Sequence, residues 1–300
     1  MDKNNGHDIT HGAQHIAAAA GADITISLGD RDIHIIDFSQ SIEELGGGFE
    51  DAIQQLYARS DERCFASFNA PAYRGEVGVI MFAGFLERFR AISALRRLNV
   101  SCLVVQDPVA PWYTGSELCP GVADIKTVAE ARFPWVKRWV LVGQSSGGYA
   151  ALFLSRLMPR SLCLALAPQT FGDSEVKAGA LQFPPNFHVS TTMNAGSQVI
   201  DLREVFFHDA APSENRAYIV AALSEHENPP TQWLWLDAMH WGRLIDHPDV
   251  TVFITPGLSH PVLLHNVETY AQLLRHIVLQ PDWDASHIIP AFRTALYGAA

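Results

Sequence analysis

From about residue 76 onward, short apolar runs rich in β-branched side chains alternate with longer stretches whose apolar positions recur every three to four residues. That is the pattern of buried parallel strands joined by crossover helices. The spacing predicts a strand over 77–83 (VGVIMFA), a helix over 86–98 and a strand over 101–105 (SCLVV), which close one right-handed crossover. A helix over 122–132 and a strand over 139–142 follow. The segment GQSSGG then leads into YAALFLSRLM, a helix with no Gly or Pro before Pro159. Further strands are expected over 161–167 (SLCLALA), 217–223 (AYIVAAL) and 250–255 (VTVFIT), and a final helix over 267–279.

Two regions read differently. In the first 75 residues, DITISLG and DIHIIDF alternate like antiparallel strands, while SIEELGGGFEDAIQQLYARS reads as a helix interrupted by three glycines. These become the opening strands and helix of the same sheet. Residues 168–215 carry Pro184, Pro185 and scattered aromatics without periodicity, as expected of an irregular insertion after the sixth strand that could cap a site. No repeat, charge run or low-complexity linker divides the chain, so residues 1–300 read as a single α/β domain with a mostly parallel sheet and helices on both faces.

Composition narrows the partners. With 48% apolar side chains, 300 residues can bury a large core. Lys plus Arg number 21 against 32 Asp plus Glu, so a phosphate backbone would meet net repulsion, which argues against nucleic acid. Cys64, Cys102, Cys119 and Cys163 form no CxxC pair and read as reduced, core or near-core thiols. The first residues lack the basic and apolar regions of a signal peptide, and no window is apolar for long enough to span a bilayer. The expectation is a cytoplasmic protein.

Gly143, Ser145 and Gly147 spell GxSxG between a buried strand and a helix. A chain that reverses so sharply leaves no room for side chains at the two glycines, and the turn lifts the serine hydroxyl to the helix N-terminus. There, free N–H groups and the helix dipole favour the negative charge of acyl transfer. Ser145 is therefore the candidate nucleophile and Ser146 N–H the first oxyanion donor. Ser146 itself, preceded in register by Gln144, lacks the leading glycine. Gly84 or Phe85, in the loop after VGVIMFA, is expected to supply the second donor.

The nucleophile's base should lie in a loop beyond the last strand. His260, in PGLSH after VTVFIT, fits; His265 is a competitor that the pattern puts at the start of the next helix. For the acid, Glu225 and Glu227 follow AYIVAAL directly, whereas Asp237 opens DAMHWGRLI. Asp237 is preferred if it begins a helix. A helix beginning near Thr231 would put it mid-helix and favour the glutamates.

Several stretches together resemble one family. They are the strand and AGF turn at 79–85, DPVAPWYTG at 107–115, GQSSGGYAAL, APQTF at 167–171, LDAMH with Asp237 and His240, and GLSH. The pattern is similar to a bacterial family of α/β-hydrolase-like proteins found with capsular and other surface-polysaccharide biosynthesis, distantly related to the accessory secretion protein Asp-two of Gram-positive bacteria. The resemblance spans about residues 77–280. It implies the α/β-hydrolase fold and a triad of Ser145, His260 and Asp237, and it suggests that Asp107, Trp112 and Tyr113 help to build the substrate pocket. A loop after a parallel strand does lie where ligands bind, and aromatic faces suit sugar rings or acyl chains. Simple packing of that loop is the competing reading.

Two functions follow from these residues. One is a serine esterase or acyltransferase acting on an ester or thioester of a small molecule or glycan through an acyl-serine. The other is a non-catalytic α/β-hydrolase-like binding or assembly protein in polysaccharide biosynthesis. GQSSGG lacks both the lysine of a P-loop and the spacing of a dinucleotide site, and His11 with His15 is too isolated to propose zinc. No cofactor and no metal are expected. The sequence leaves the oligomeric state open.

Overall fold

The computed structural model describes residues 21–38, 49–68, 75–84, 88–89, 92–95, 98, 100–172, 199–208, 214–223, 232–256, 267–280 and 283–298. Its strands are β1 (Ala22–Leu28), β2 (Arg31–Phe38), β3 (Phe65–Phe68), β4 (Val77–Phe82), β5 (Ser101–Val105), β6 (Arg138–Gln144), β7 (Ser161–Leu166), β8 (Arg216–Leu223) and β9 (Val250–Pro256). They form one sheet in the order β1-β2-β3-β5-β4-β6-β7-β8-β9. From β5 to β9 across the sheet every neighbouring pair is parallel. At the other flank β3 runs antiparallel to β5, β2 parallel to β3 and β1 antiparallel to β2.

Side chains alternate between two cores. Along β6, Trp139 and Leu141 face one layer while Val140 and Val142 face the other. The Trp139 side is covered by α3 (Val122–Arg132), α4 (Ser146–Leu157) and α5 (Leu202–His208). The opposite side is covered by α1 (Phe49–Ala58), the single turn α2 (Ile92–Leu95), α7 (Val267–Leu279) and α8 (Ala285–Tyr297). Each Leu or Ile fully buried between sheet and helices stabilises the fold by about 1.5–3 kcal/mol, so the two apolar faces of the central strands dictate the layered architecture.

The structure corrects several sequence expectations. Among the described residues the sheet has nine strands, and β3, whose FASF is too short to show a period, makes the 168–215 insertion follow the seventh strand rather than the sixth. That insertion is not irregular throughout, since α5 lies within it. The helix expected over 86–98 does not reach Arg88 or Phe89; the Phe89 N–H donates to Gln106 Oε1 at 3.0 Å instead of to a helical carbonyl. A further helix, α8, was not expected, because Pro290 interrupts its pattern; its start is capped by Asp284, whose side chain accepts the Ser286 N–H.

Chain order fixes where a site can form. From β4 the chain moves outward to β5, then crosses back to β6 on the other side of β4. In open α/β sheets such a reversal of strand order, here beyond the carboxyl ends of β4 and β6, is the place where ligands bind. Among the described residues, no helix is long and apolar enough to cross a membrane.

Candidate active site

Ser145 stands at that reversal, just beyond the carboxyl end of β6. β6 pairs with β4 as far as Phe82↔Gly143 and with β7 as far as Gln144↔Leu166, so the serine is the first residue beyond the ladder. Its backbone lies at φ 55°, ψ −119°, a region that L-residues rarely adopt, and α4 begins at the next residue. The bend is held by the Ser145 N–H donating to Leu166 O at 2.9 Å and by Gln169 N–H donating to Ser145 O at 3.1 Å. Ser145 is half-buried, whereas Ser146, whose N–H belongs to the first turn of α4, is buried.

The glycines have a measurable steric role. A Cβ on Gly143 would lie 2.1 Å from Gly147 O, and one on Gly147 would lie 2.6 Å from both Phe82 O and Ala83 O. The second contact also shows how closely the elbow rests on the end of β4. Gly84, buried, directly follows those carbonyls, so both chain segments expected to supply oxyanion donors meet at the elbow. Phe85 lies outside the described residues, as do His260, its competitor His265, and both Glu225 and Glu227.

Asp237 is not at the start of a helix. Helix α6 (Gln232–Gly242) begins five residues earlier, which puts the aspartate mid-helix and 1% exposed. One turn on, His240 is also fully buried, and its Nδ1 accepts the Thr170 N–H at 2.9 Å while Thr170 Oγ1 donates to His240 O at 3.0 Å. An Nδ1 that accepts a backbone N–H carries no proton, so the neutral ring holds its proton on Nε2. The Phe171 ring adds a contact to His240 at 4.7 Å. The segment after β7 thus grips the Ser145 carbonyl through Gln169 and α6 through Thr170.

The loop after β5 is bound inward. Asp107 Oδ1 accepts the N–H groups of Val109 (3.0 Å) and Ala110 (2.9 Å) and the Ser116 hydroxyl (3.2 Å), and burial raises its carboxyl above the usual range. Tyr113 is 2% exposed and its hydroxyl donates to Ala83 O at 2.7 Å, with Val105 O at 3.1 Å. Its ring meets Phe82 edge-on at 5.2 Å. Trp112, also buried, and Tyr113 both have positive φ. Tyr113 therefore ties this loop to the end of β4, beside the elbow, and Asp107 folds the loop on itself.

Sequence reasoning passed over Gln144 and Gln169. Both are buried, next to Ser145 in the chain or hydrogen-bonded to it, and the Oε1 of each lacks a hydrogen-bond donor among the described residues. The signal was a polar residue at the end of one apolar strand, GQS, and three residues beyond the end of the next, APQT.

No family model matches the chain, and no curated protein matches it. Among solved structures it is similar to the Glycosylation Associate Protein (Gap123) complex from Streptococcus agalactiae, at 15% identity and TM-score 0.46. That likeness covers 73% of this chain but 44% of the other, less than half of its length. Similarity also extends to an alpha/beta hydrolase fold protein from Chitinophaga pinensis (12% identity, TM-score 0.48, 88% of this chain and 99% of that one). A proline iminopeptidase of Mycobacterium smegmatis matches at 14% identity and TM-score 0.49, over 90% of this chain and 100% of that one. Strand order, crossovers and the strand–elbow–helix joint at Ser145 give this chain the α/β-hydrolase fold.

Proposed function

We propose that the chain is a serine hydrolase or acyltransferase that acts on an ester or thioester through an acyl-serine at Ser145. The observation that carries this reading is the strained backbone of Ser145, φ 55°, on a bend whose glycines leave no space for side chains. A binding protein has no use for a serine held at such cost, whereas a nucleophile gains from being fixed clear of the sheet.

In this mechanism His260 accepts the proton of Ser145 Oγ as the oxygen adds to the acyl carbon. The carbonyl oxygen becomes an oxyanion and receives hydrogen bonds from Ser146 N–H and from Gly84 or Phe85 N–H. Collapse breaks the bond to the alcohol or thiol, which leaves with the proton from His260. Water, deprotonated by the same imidazole, then attacks the acyl-serine, the acyl–Oγ bond breaks and Ser145 recovers its proton from His260; a glycan hydroxyl in place of water makes the reaction an acyl transfer, the alternative to hydrolysis. With Asp237 mid-helix, the positional argument moves the acid to Glu225 or Glu227, directly after β8.

A panel of acyl esters and thioesters tests the reading. Turnover by the wild type that falls about 10³-fold or more in Ser145→Ala supports it; a folded wild type that turns over none of them overturns it. Glu225→Gln or Glu227→Gln should cost far more activity than Asp237→Asn. Full activity in all three variants would mean that the triad is drawn wrongly.

A further inference from the structure

Ala83 lies one residue past the last pair of the β4–β5 ladder, Phe82↔Val105, and directly before Gly84. Both of its backbone groups are held. Its N–H donates to Val105 O at 2.9 Å, and its carbonyl accepts the Tyr113 hydroxyl at 2.7 Å. Val105 O, 3.1 Å from the phenol, already takes the Ala83 N–H, so the phenol's one proton goes to the nearer Ala83 oxygen. Helix α4 closes on the same atom, since a Cβ on Gly147 would lie 2.6 Å from Ala83 O. Tyr113 is buried, so its hydroxyl acts on this backbone and not on a substrate. Trp112 at φ 68° and Tyr113 at φ 54° hold strained backbone in succession where the ring packs edge-on against Phe82.

A peptide unit is planar, so whatever fixes the Ala83 carbonyl also fixes the direction of the Gly84 N–H, which shares its plane. The next N–H, that of Phe85, is separated from this plane only by the two backbone angles of Gly84, and glycine restrains those angles least. Either donor expected at the oxyanion is therefore aimed from the Ala83 carbonyl. Packing of the loop needs only the aromatic ring; the phenol adds one hydrogen bond, and it falls on the peptide that precedes the donors. We propose that Tyr113 is a positioning residue for the oxyanion hole, which orders the second donor by holding the Ala83–Gly84 peptide plane. The inference rests on the acyl-serine reading above and adds to it the residue that aims the donor. A donor fixed in advance costs no reorganisation as charge develops on the carbonyl oxygen, so its loss is felt in the transition state and not in substrate binding.

The test compares the full chain with its Tyr113→Phe variant, which keeps the ring and loses the hydroxyl. Turnover of p-nitrophenyl butyrate is measured beside inhibition by 1-propylboronic acid, whose tetrahedral adduct with the serine carries an oxygen where the oxyanion stands. In the variant kcat should fall about tenfold with KM changed less than about twofold, and the boronic acid should bind about tenfold more weakly. A role in packing alone would not weaken the boronic acid relative to the ester. Wild-type kcat, or a raised KM with boronic acid affinity unchanged, overturns the inference and leaves the acyl-serine reading standing. Should Tyr113→Phe not fold, Tyr113→p-aminophenylalanine, which keeps the ring and a weaker donor, takes its place: kcat and boronic acid affinity lowered together support the inference, and wild-type values of both overturn it. Folded wild-type protein without Ser145-dependent turnover of the ester removes the acyl-serine reading and the inference with it.

Discussion

At the flank formed by β1–β3, polar groups find partners. Arg132 of α3 reaches across to Asp37 of β2 at 2.6 Å and to Ser67 Oγ of β3 at 3.1 Å, and Ser67 closes the triangle by donating to Asp37. Arg59 pairs with Asp23, and Ser27 donates to Asp32 at 2.8 Å. At the carboxyl edge between β4 and β7 matched groups stand beside strained backbone and unmatched acceptors. Trp112, Tyr113, Ser145 and Ala167 all have positive φ, and the Oε1 atoms of Gln144 and Gln169 have no donor among the described residues. The sheet is continuous, so one region's satisfied chemistry supports the other's strain. The difference separates residues kept for stability from residues kept at its expense.

Substitutions should split along that line. Ser145→Ala should lower kcat/KM on an activated ester by about 10³-fold or more without lowering the melting temperature. Next in size, Gly143→Ala would force a Cβ to within 2.1 Å of Gly147 O and should cost about 3 kcal/mol or more, or prevent folding, as read by urea unfolding. Asp37→Ala leaves the Arg132 guanidinium, 14% exposed, without its carboxylate, and should cost about 3 kcal/mol with kcat unchanged. Smaller and opposite in sign, Ser145→Gly should raise stability by about 1 kcal/mol, since glycine adopts a positive φ freely. A Ser145→Gly variant less stable than wild type would remove the claim that the elbow is strained.

The smallest effect concerns pH. Burial, with Arg156 nearby, pushes the His247 imidazole below its ordinary value of 6.5. The unfolded chain then binds the proton more readily, so this contribution to stability is complete above 6.5 and is lost as pH falls toward the lower folded-state value. The slope of stability with pH below 6.5 should flatten in His247→Phe, as measured by urea unfolding at several pH values.

Legibility in the sequence followed the same division. The parallel strands and the helices α3 and α7 were readable because burial on both faces makes long apolar runs and helical periods. The elbow was readable because its two glycines are a steric necessity rather than a preference. What escaped was set by tertiary context. FASF is four residues long, Pro290 breaks the period of α8, and Phe89 gives its N–H to a glutamine seventeen residues away. Asp237 looked like the first residue of a helix because QWLW, which precedes it inside α6, carries aromatics that read equally as loop. The family resemblance suggested Asp107 and Tyr113 as pocket residues, and only the hydrogen bonds to Ala110 N and Ala83 O show how they build the loop itself.

The central claim is a nucleophilic Ser145 whose proton is taken by His260, and intact-protein and peptide mass spectrometry after exposure to a fluorophosphonate tests it most directly. The account predicts a single phosphonyl adduct on the Ser145 peptide, absent in Ser145→Ala and formed far more slowly in His260→Ala. Folded wild-type protein that gains no adduct, or gains it on another residue, would contradict it.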